Sequence, residues 1–124
     1  MNDALKDSTG EDVTVELDEA GLAYDIKVAD GEVAGRAHYL VGAKDPNERI
    51  FYHTTVDSKF GGRGLSKILV NEALKDAREK GETVVAICPL FVKKLQESGD
   101  EYIAEGGKIR NPTGADFDQV KQEA

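Results

Sequence analysis

Hydrophobic residues in the first half of the chain alternate with polar ones, which is the period of a strand with one buried face. Residues 13–17 and 22–28 show this alternation. Residues 33–41 are predicted to form a third strand, and residues 49–56 a fourth, because this last run is rich in β-branched and aromatic residues. Asp30-Gly31 is a hairpin sequence, and Pro46 follows Asp45 in a second strong turn. Since consecutive strands joined by short turns pair antiparallel, the pattern predicts a four-stranded antiparallel meander.

The period changes after the fourth run. From Leu65 to Ala77 the apolar residues recur at helical spacing, and Gly81 follows where a helix would be capped. Residues 83–87 are almost wholly apolar, which is typical of a strand buried on both faces. A strand, a helix and a strand in succession predict a right-handed crossover with parallel pairing. Residues 90–97 then read as a short amphipathic helix.

The 124 residues suit a single domain of the α+β class. Residues 1–11 are polar and aperiodic, and are predicted to be a mobile N-terminal tail. Residues 12–105 are predicted to form the domain. Residues 106–124 are predicted to be a C-terminal extension that is either disordered or a short helix.

Composition narrows the class of protein. A net charge of −8 argues against nucleic acid as a partner, because a phosphate backbone would be repelled. The single cysteine, Cys88, excludes an internal disulfide and fits a reducing compartment. No apolar run approaches the ~20 residues that span a bilayer, and no signal-peptide core is seen, so we expect a cytoplasmic protein without a membrane partner. Two histidines and one cysteine show no metal-ligand spacing, so no metal is expected.

Three glycines lie between the fourth strand and the helix, in Lys59-Phe60-Gly61-Gly62-Arg63-Gly64-Leu65-Ser66. Glycine allows close approach of the backbone and a positive φ, so that successive N–H groups converge on one anion. The helix start adds unpaired N–H groups, and basic side chains flank the glycines. By this loop alone, a phosphate site and a plain turn are equally supported.

Three motifs in order raise the specificity. They are His53-Thr54-Thr55-Val56, then Gly61 to Leu69, then Ile87-Cys88-Pro89-Leu90-Phe91-Val92. Together they resemble the GNAT-type N-acetyltransferases, and more narrowly the small single-domain YjdJ-type subfamily. The resemblance covers about residues 13–103. It implies a GNAT-like fold, with a mixed twisted sheet, few helices, and a gap between the fourth and fifth strands of the family's fold.

The resemblance also implies acetyl-coenzyme A (acetyl-CoA) as co-substrate and an unidentified amine as acceptor. The residues implied to bind the coenzyme are Thr54, Thr55, Val56, Gly61, Gly62, Arg63, Gly64, Leu65, Ser66 and Phe91. The chain departs from the family pattern at several positions, among them Ser66 in place of the small final residue of the loop and Leu95 in place of a Tyr. Gly61 stands where the family has Gln or Arg, so one side-chain clamp is missing. Leu90 is inserted before Phe91, which alters the surroundings of Cys88.

Two residues are candidates for catalysis by direct acetyl transfer. His53 is a candidate general base, since imidazole titrates near neutrality, with a packed strand histidine as the alternative. Cys88 is implied to lie near the thioester. It is a neighbour of the acetyl group, a nucleophile that forms an acyl-cysteine, or an inert buried thiol.

Three functions follow from these residues. The first is an acetyl-CoA-dependent N-acetyltransferase. The second is a module that binds or senses acetyl-CoA without efficient turnover. The third, from a different class, is a small interaction domain whose loop binds no cofactor.

Overall fold

Seven strands form one mixed sheet in the computed structural model, which describes residues 5–124. The strands follow one another across the sheet in chain order: β1 (Leu5–Lys6), β2 (Asp12–Asp18), β3 (Ala23–Val28), β4 (Val33–Val41), β5 (Glu48–Val56), β6 (Thr83–Ala86) and β7 (Lys108–Arg110). The helices are α1 (Leu65–Glu79), α2 (Pro89–Ala104) and α3 (Gly114–Glu123), with one 3-10 turn at Ser58–Phe60.

Pairing in the sheet changes direction at β5. Strands β1 to β5 pair antiparallel, whereas β5 with β6 and β6 with β7 pair parallel. The predicted meander corresponds to β2–β5, and the predicted strand, helix and parallel strand to β5, α1 and β6. Both predictions are confirmed, as is the α+β class.

The two faces of the sheet have separate apolar clusters. The larger cluster lies under α1, where Tyr24, Ile26 and Phe51 of the sheet and Leu69 of α1 have no exposed surface. The second cluster consists of the buried residues Leu40, Ile50 and Val85, and Val120 of α3 packs against it. Fully burying one such side chain contributes about 1.5–3 kcal/mol. Successive residues of β5 therefore belong to different clusters, Ile50 to the smaller one and Phe51 to the larger one.

Helix α2 is longer than the predicted residues 90–97. Pro89 stands at its first turn, where the missing N–H costs nothing, and the helix continues to Ala104 across a kink at Ser98, whose φ is −135°. Tyr102 accounts for the extra length, because its hydroxyl donates to the Leu74 carbonyl of α1 at 2.8 Å in a buried contact. The amphipathic pattern of the first two turns contains no sign of this distant contact.

Both chain ends contribute elements of secondary structure. Leu5 and Lys6 pair with Val13 and Asp12 at the edge of the sheet, while residues 1–4 of the predicted tail lie outside the described residues. At the other end β7 extends the sheet and α3 follows it. The division into tail, domain and extension stays a prediction. In the structure, β1 lies within the predicted tail, and β7 and α3 lie within the predicted extension.

Candidate functional site

The pairing of β5 with β6 stops halfway along β5. It covers Glu48–Phe51, after which the N–H groups of Ile87 and Cys88 both donate to the Phe51 carbonyl at 2.9 Å. The chain then turns into α2 at Pro89. In the described part of the chain, residues 53–56 consequently pair with β4 but with no strand on their other side. An opening with a free strand edge lies between β5 and the start of α2.

Thr54 and Cys88 meet across this opening. The Thr54 Oγ1 lies 3.3 Å from the Cys88 Sγ, and Cys88 is 3% exposed at the N-cap of α2. Behind it, Phe91 stacks on Phe51 with ring centroids 4.3 Å apart. Phe91 has no exposed surface, so in this structure it fills the core beside the opening. Its predicted contact with the coenzyme stays a prediction that would require α2 to shift.

A β-bulge precedes Thr54. His38 is opposite His53 and Tyr39 is opposite Phe51, so Tyr52 is the extra residue on β5. Because successive side chains alternate across a sheet, His53 lies on the face opposite to Thr54. The structure thus brings Thr54 and Cys88 together but forms no hydrogen bond between His53 and Cys88. A bulge beside an opening is a common way to aim side chains at a site.

His53 is exposed and stacks on His38 of β4, with ring centroids 6.0 Å apart and an interplanar angle of 21°. Burial lowers the pKa of His38, and the charge of His53 lowers it further. A histidine in the middle of a strand has a structural role by default, and His38 is such a residue. Its position beside the candidate base is a finding of the structure.

The glycine loop connects β5 to α1. Its 3-10 turn is closed by the Asp57 carboxylate, which accepts from the Lys59 N–H at 3.1 Å. Gly62 and Gly64 have φ of 82° and 72°, a region that favours glycine, and Gly64 is the N-cap of α1. Gly61 has an ordinary φ of −61°, and its N–H donates to the Ser58 carbonyl at 3.1 Å. Gly61 therefore has no amide to offer to a ligand.

The amides beyond Gly61 are free. Among the described residues, the backbone N–H groups of residues 62–67 donate to no acceptor. Leu65 is only 2% exposed and packs in the core, so it could contact a ligand through its backbone alone. Six successive free amides at the positive end of a helix form an arrangement suited to an anion.

The predicted basic cluster around the loop is divided by ion pairs. Lys59 pairs with Glu32 at 2.5 Å, and the Arg63 Nε lies 3.5 Å from the Asp7 Oδ2. Lys67 makes no ion pair with any described residue. Lys67 thus keeps its full charge available.

A groove of about 410 Å³ continues from the loop between α1 and α2. Ser66, Lys67 and Asn71 line it from α1, and Lys93 and Lys94 line it from α2. The Asn71 Oδ1 is buried without a hydrogen-bond partner. Three lysines against one carboxylate, that of Glu97, give the groove a net positive lining in a chain of net charge −8.

Sequence reasoning missed Lys93 and Lys94, although the adjacent pair directly after the Cys-Pro motif was a usable signal. It also missed Ser8, which contacts the glycine loop from a segment without periodicity. In residues 5–124 no cluster of three metal-ligating side chains is found, and no helix there is long and apolar enough to cross a membrane.

Residues 23–105 match the model of the GCN5-related N-acetyl-transferase family. The match spans more than half of the chain, so this protein belongs to that family. No curated protein matches the sequence. The NMR solution structure of a GCN5-like protein from Staphylococcus aureus is similar, with a TM-score of 0.51 and 24% identity over 82% of this chain and 91% of that one. At that identity the likeness concerns the fold, and it confirms the GNAT-like fold expected from the sequence.

Proposed function

We propose that this family member is an acetyl-CoA-dependent N-acetyltransferase that acts on an amine, and that it belongs to the YjdJ-type subfamily. The observation that carries the proposal is the row of free amides at residues 62–67 directly beside the open edge of β5. An anion cradle next to a free strand edge suits a ligand with a pyrophosphate at one end and an amide-containing arm at the other.

Three parts of the site would hold the three parts of the co-substrate. The amides of residues 62–66 and the guanidinium of Arg63 would bind the pyrophosphate. The β5 edge at Thr54, Thr55 and Val56 would pair with the pantetheine arm as an added strand does. The groove with Lys67, Lys93 and Lys94 is adjacent to the cradle and would take the 3′-phosphate at the adenosine end.

The transfer itself forms a C–N bond and breaks the thioester C–S bond, while the ammonium loses protons and the leaving thiolate gains one. His53 would accept a proton from the amine, which approaches from the exposed face of the sheet. A free N–H on the β5 edge would stabilise the oxyanion. Cys88 is buried against Thr54, and we assign it contact with the acetyl group and not nucleophilic attack.

We place this activity in the cytoplasm and expect neither nucleic acid nor a membrane as partner. The negative net charge and the single buried cysteine support that assignment.

A second candidate is a module that binds acetyl-CoA without efficient turnover. The observation that favours it is the position of His53 and Cys88, which lie on different sides of the sheet without a hydrogen bond between them.

Amide chemical shifts during a titration with acetyl-CoA test the binding. We expect perturbations at residues 54–56 and 62–67, and no change at either set would refute the proposal. Release of free thiol with a panel of amines then separates enzyme from module, with CoA in place of acetyl-CoA as the control. In the enzyme, His53→Gln should keep the affinity and lower turnover by roughly 10²–10⁴-fold.

A further inference from the structure

The N-terminal segment contacts the back of the glycine loop. The Ser8 N–H donates to the Arg63 carbonyl at 2.9 Å, and the Ser8 hydroxyl donates to the Gly62 carbonyl at 3.1 Å. Ser8 precedes residues 23–105, so it lies outside the part of the chain that matches the family. The family match therefore says nothing about its role.

The two contacts fix the direction of two peptide units. In a trans peptide the C=O and the N–H point in opposite directions. Since Ser8 holds the carbonyls of Gly62 and Arg63, the N–H groups of Arg63 and Gly64 point away from Ser8. These two N–H groups belong to the free amides of the cradle. Ser8 therefore turns them toward the side where an anion would bind.

Orientation matters here because Gly62 and Gly64 carry no side chain that could restrain the loop. Fixing one residue's backbone costs about 1–2 kcal/mol of conformational free energy. A loop that is already ordered does not incur that cost again when a ligand binds. Ser8 provides this order before the ligand arrives.

Asp7 of the same segment contacts the Arg63 side chain. The Asp7 carboxylate is buried, and its Oδ1 accepts from the Thr9 N–H at 2.8 Å, the Thr9 hydroxyl at 2.6 Å and the Glu11 N–H at 3.0 Å. The other oxygen, Oδ2, has no hydrogen bond and lies 3.5 Å from the Arg63 Nε. The guanidinium is also 5.4 Å from the centre of the Phe60 ring. These contacts keep Arg63 beside the loop.

From this geometry we infer that Ser8 is a positioning residue of the coenzyme site, which orients the Arg63 and Gly64 amides for the pyrophosphate while Asp7 holds the Arg63 side chain beside the loop. The inference rests on the proposed function. If the inference holds, the segment around Ser8 contributes to binding of the pyrophosphate. It should not contribute to binding of the pantetheine arm.

Calorimetric titration of the full chain with CoA and with pantetheine, which lacks the pyrophosphate, tests this inference. Ser8 is exposed, so Ser8→Ala should fold normally. Loss of one hydrogen bond should raise the Kd for CoA by roughly three- to tenfold and leave the Kd for pantetheine unchanged. Ser8→Thr, which keeps the hydroxyl, should restore most of the affinity. In the ligand-free Ser8→Ala protein, the amide signals of Arg63 and Gly64 should shift.

Ser58→Ala is the matched control, because Ser58 lies beside the same loop and its hydroxyl makes no hydrogen bond with the described residues. We expect it to bind CoA as the wild type does. If the wild type binds CoA and Ser8→Ala binds it equally well, the inference alone is wrong. An equal loss for CoA and pantetheine would also overturn it. If the wild type binds no CoA, the proposed function fails as well.

Discussion

At the scale of single residues, His38 and His53 are stacked neighbours on adjacent strands, and the pKa of His38 depends on this contact. Burial keeps the pKa of His38 below its ordinary value, and a proton on His53 lowers it further. A proton on His53 therefore favours the neutral form of His38 beside it. The folded-state pKa of His38 lies below its unfolded value, so its contribution to stability is complete above about pH 6.5 and is lost as the pH falls.

His53→Gln should raise the pKa of His38 only part of the way to its ordinary value. The substitution removes the charge of His53, whereas the burial of His38, which is the larger cause, remains. An NMR titration of the imidazole C–H signals measures this directly. Tyr52→Phe is the control, since it keeps the ring 6.1 Å from His38 and removes no charge. An unchanged His38 pKa in His53→Gln would show that the two imidazoles do not interact.

Local sequence predicts some of these residues and not others. The positive φ of Gly62 and Gly64 follows from glycine between a strand and a helix, and the nearness of Thr54 to Cys88 agrees with what the family resemblance implied. The contact of Ser8 with Gly62 joins residues 54 positions apart. A serine in an aperiodic segment has no local pattern that predicts such a contact, so the contact could be found only from the structure.

At the scale of elements, α3 is held by one set of contacts that is local in sequence and by another that is distant in sequence. Thr113 and Asp116 form a capping box at its start, with the Thr113 N–H donating to Asp116 at 2.7 Å. Arg110 then joins Asp116 to Glu48 of β5 with hydrogen bonds of 2.8–2.9 Å. The capping box is readable from sequence. The link to Glu48 spans 62 positions and is not readable there, so the sequence left a disordered extension and a short helix as alternatives.

Asp116→Asn should loosen α3 while the rest of the sheet stays folded. Removing a helix cap costs about 0.5–2 kcal/mol, and the faster hydrogen exchange should be confined to residues 114–124. The Arg110 hydrogen bonds lower the pKa of Asp116 to about 2. Because this value lies below the unfolded one, the carboxylate stabilises the helix above about pH 4, and that contribution is lost as the pH falls toward 2.

Asp118→Asn is the matched control for α3, since Asp118 is exposed on the same helix and makes no hydrogen bond with the described residues. Its exchange rates should equal those of the wild type. Equal exchange in Asp116→Asn and Asp118→Asn would mean that packing of Val120 holds the helix, and that the cap does not.

At the scale of the whole molecule, β5 joins two regions with different tasks. Its C-terminal half borders the opening, while Arg49 near its start belongs to a buried polar network. Arg49 contacts Tyr24 of β3, Asp76 of α1 and Glu82 before β6. The alternation of apolar residues predicted the order of the strands, but this network could not be predicted, because it pairs charges that are 27 and 33 positions apart.

Asp76→Asn should destabilise the whole fold and leave the proposed coenzyme site intact. Burial opposes ionisation of Asp76, but hydrogen bonds from Tyr24 at 2.5 Å and from Lys80 at 2.9 Å outweigh it and lower its pKa. The neutral amide leaves Arg49 a single carboxylate partner, at a cost of about 3 kcal/mol. Urea unfolding of Asp76→Asn should give a lower midpoint at an unchanged slope.

The affinity of Asp76→Asn for CoA, measured well below the melting temperature, should equal that of the wild type, because the free amides lie at the other end of β5. Glu79→Gln, exposed on the same helix, is the control. A weaker affinity for CoA at full folding would show that the network also shapes the site.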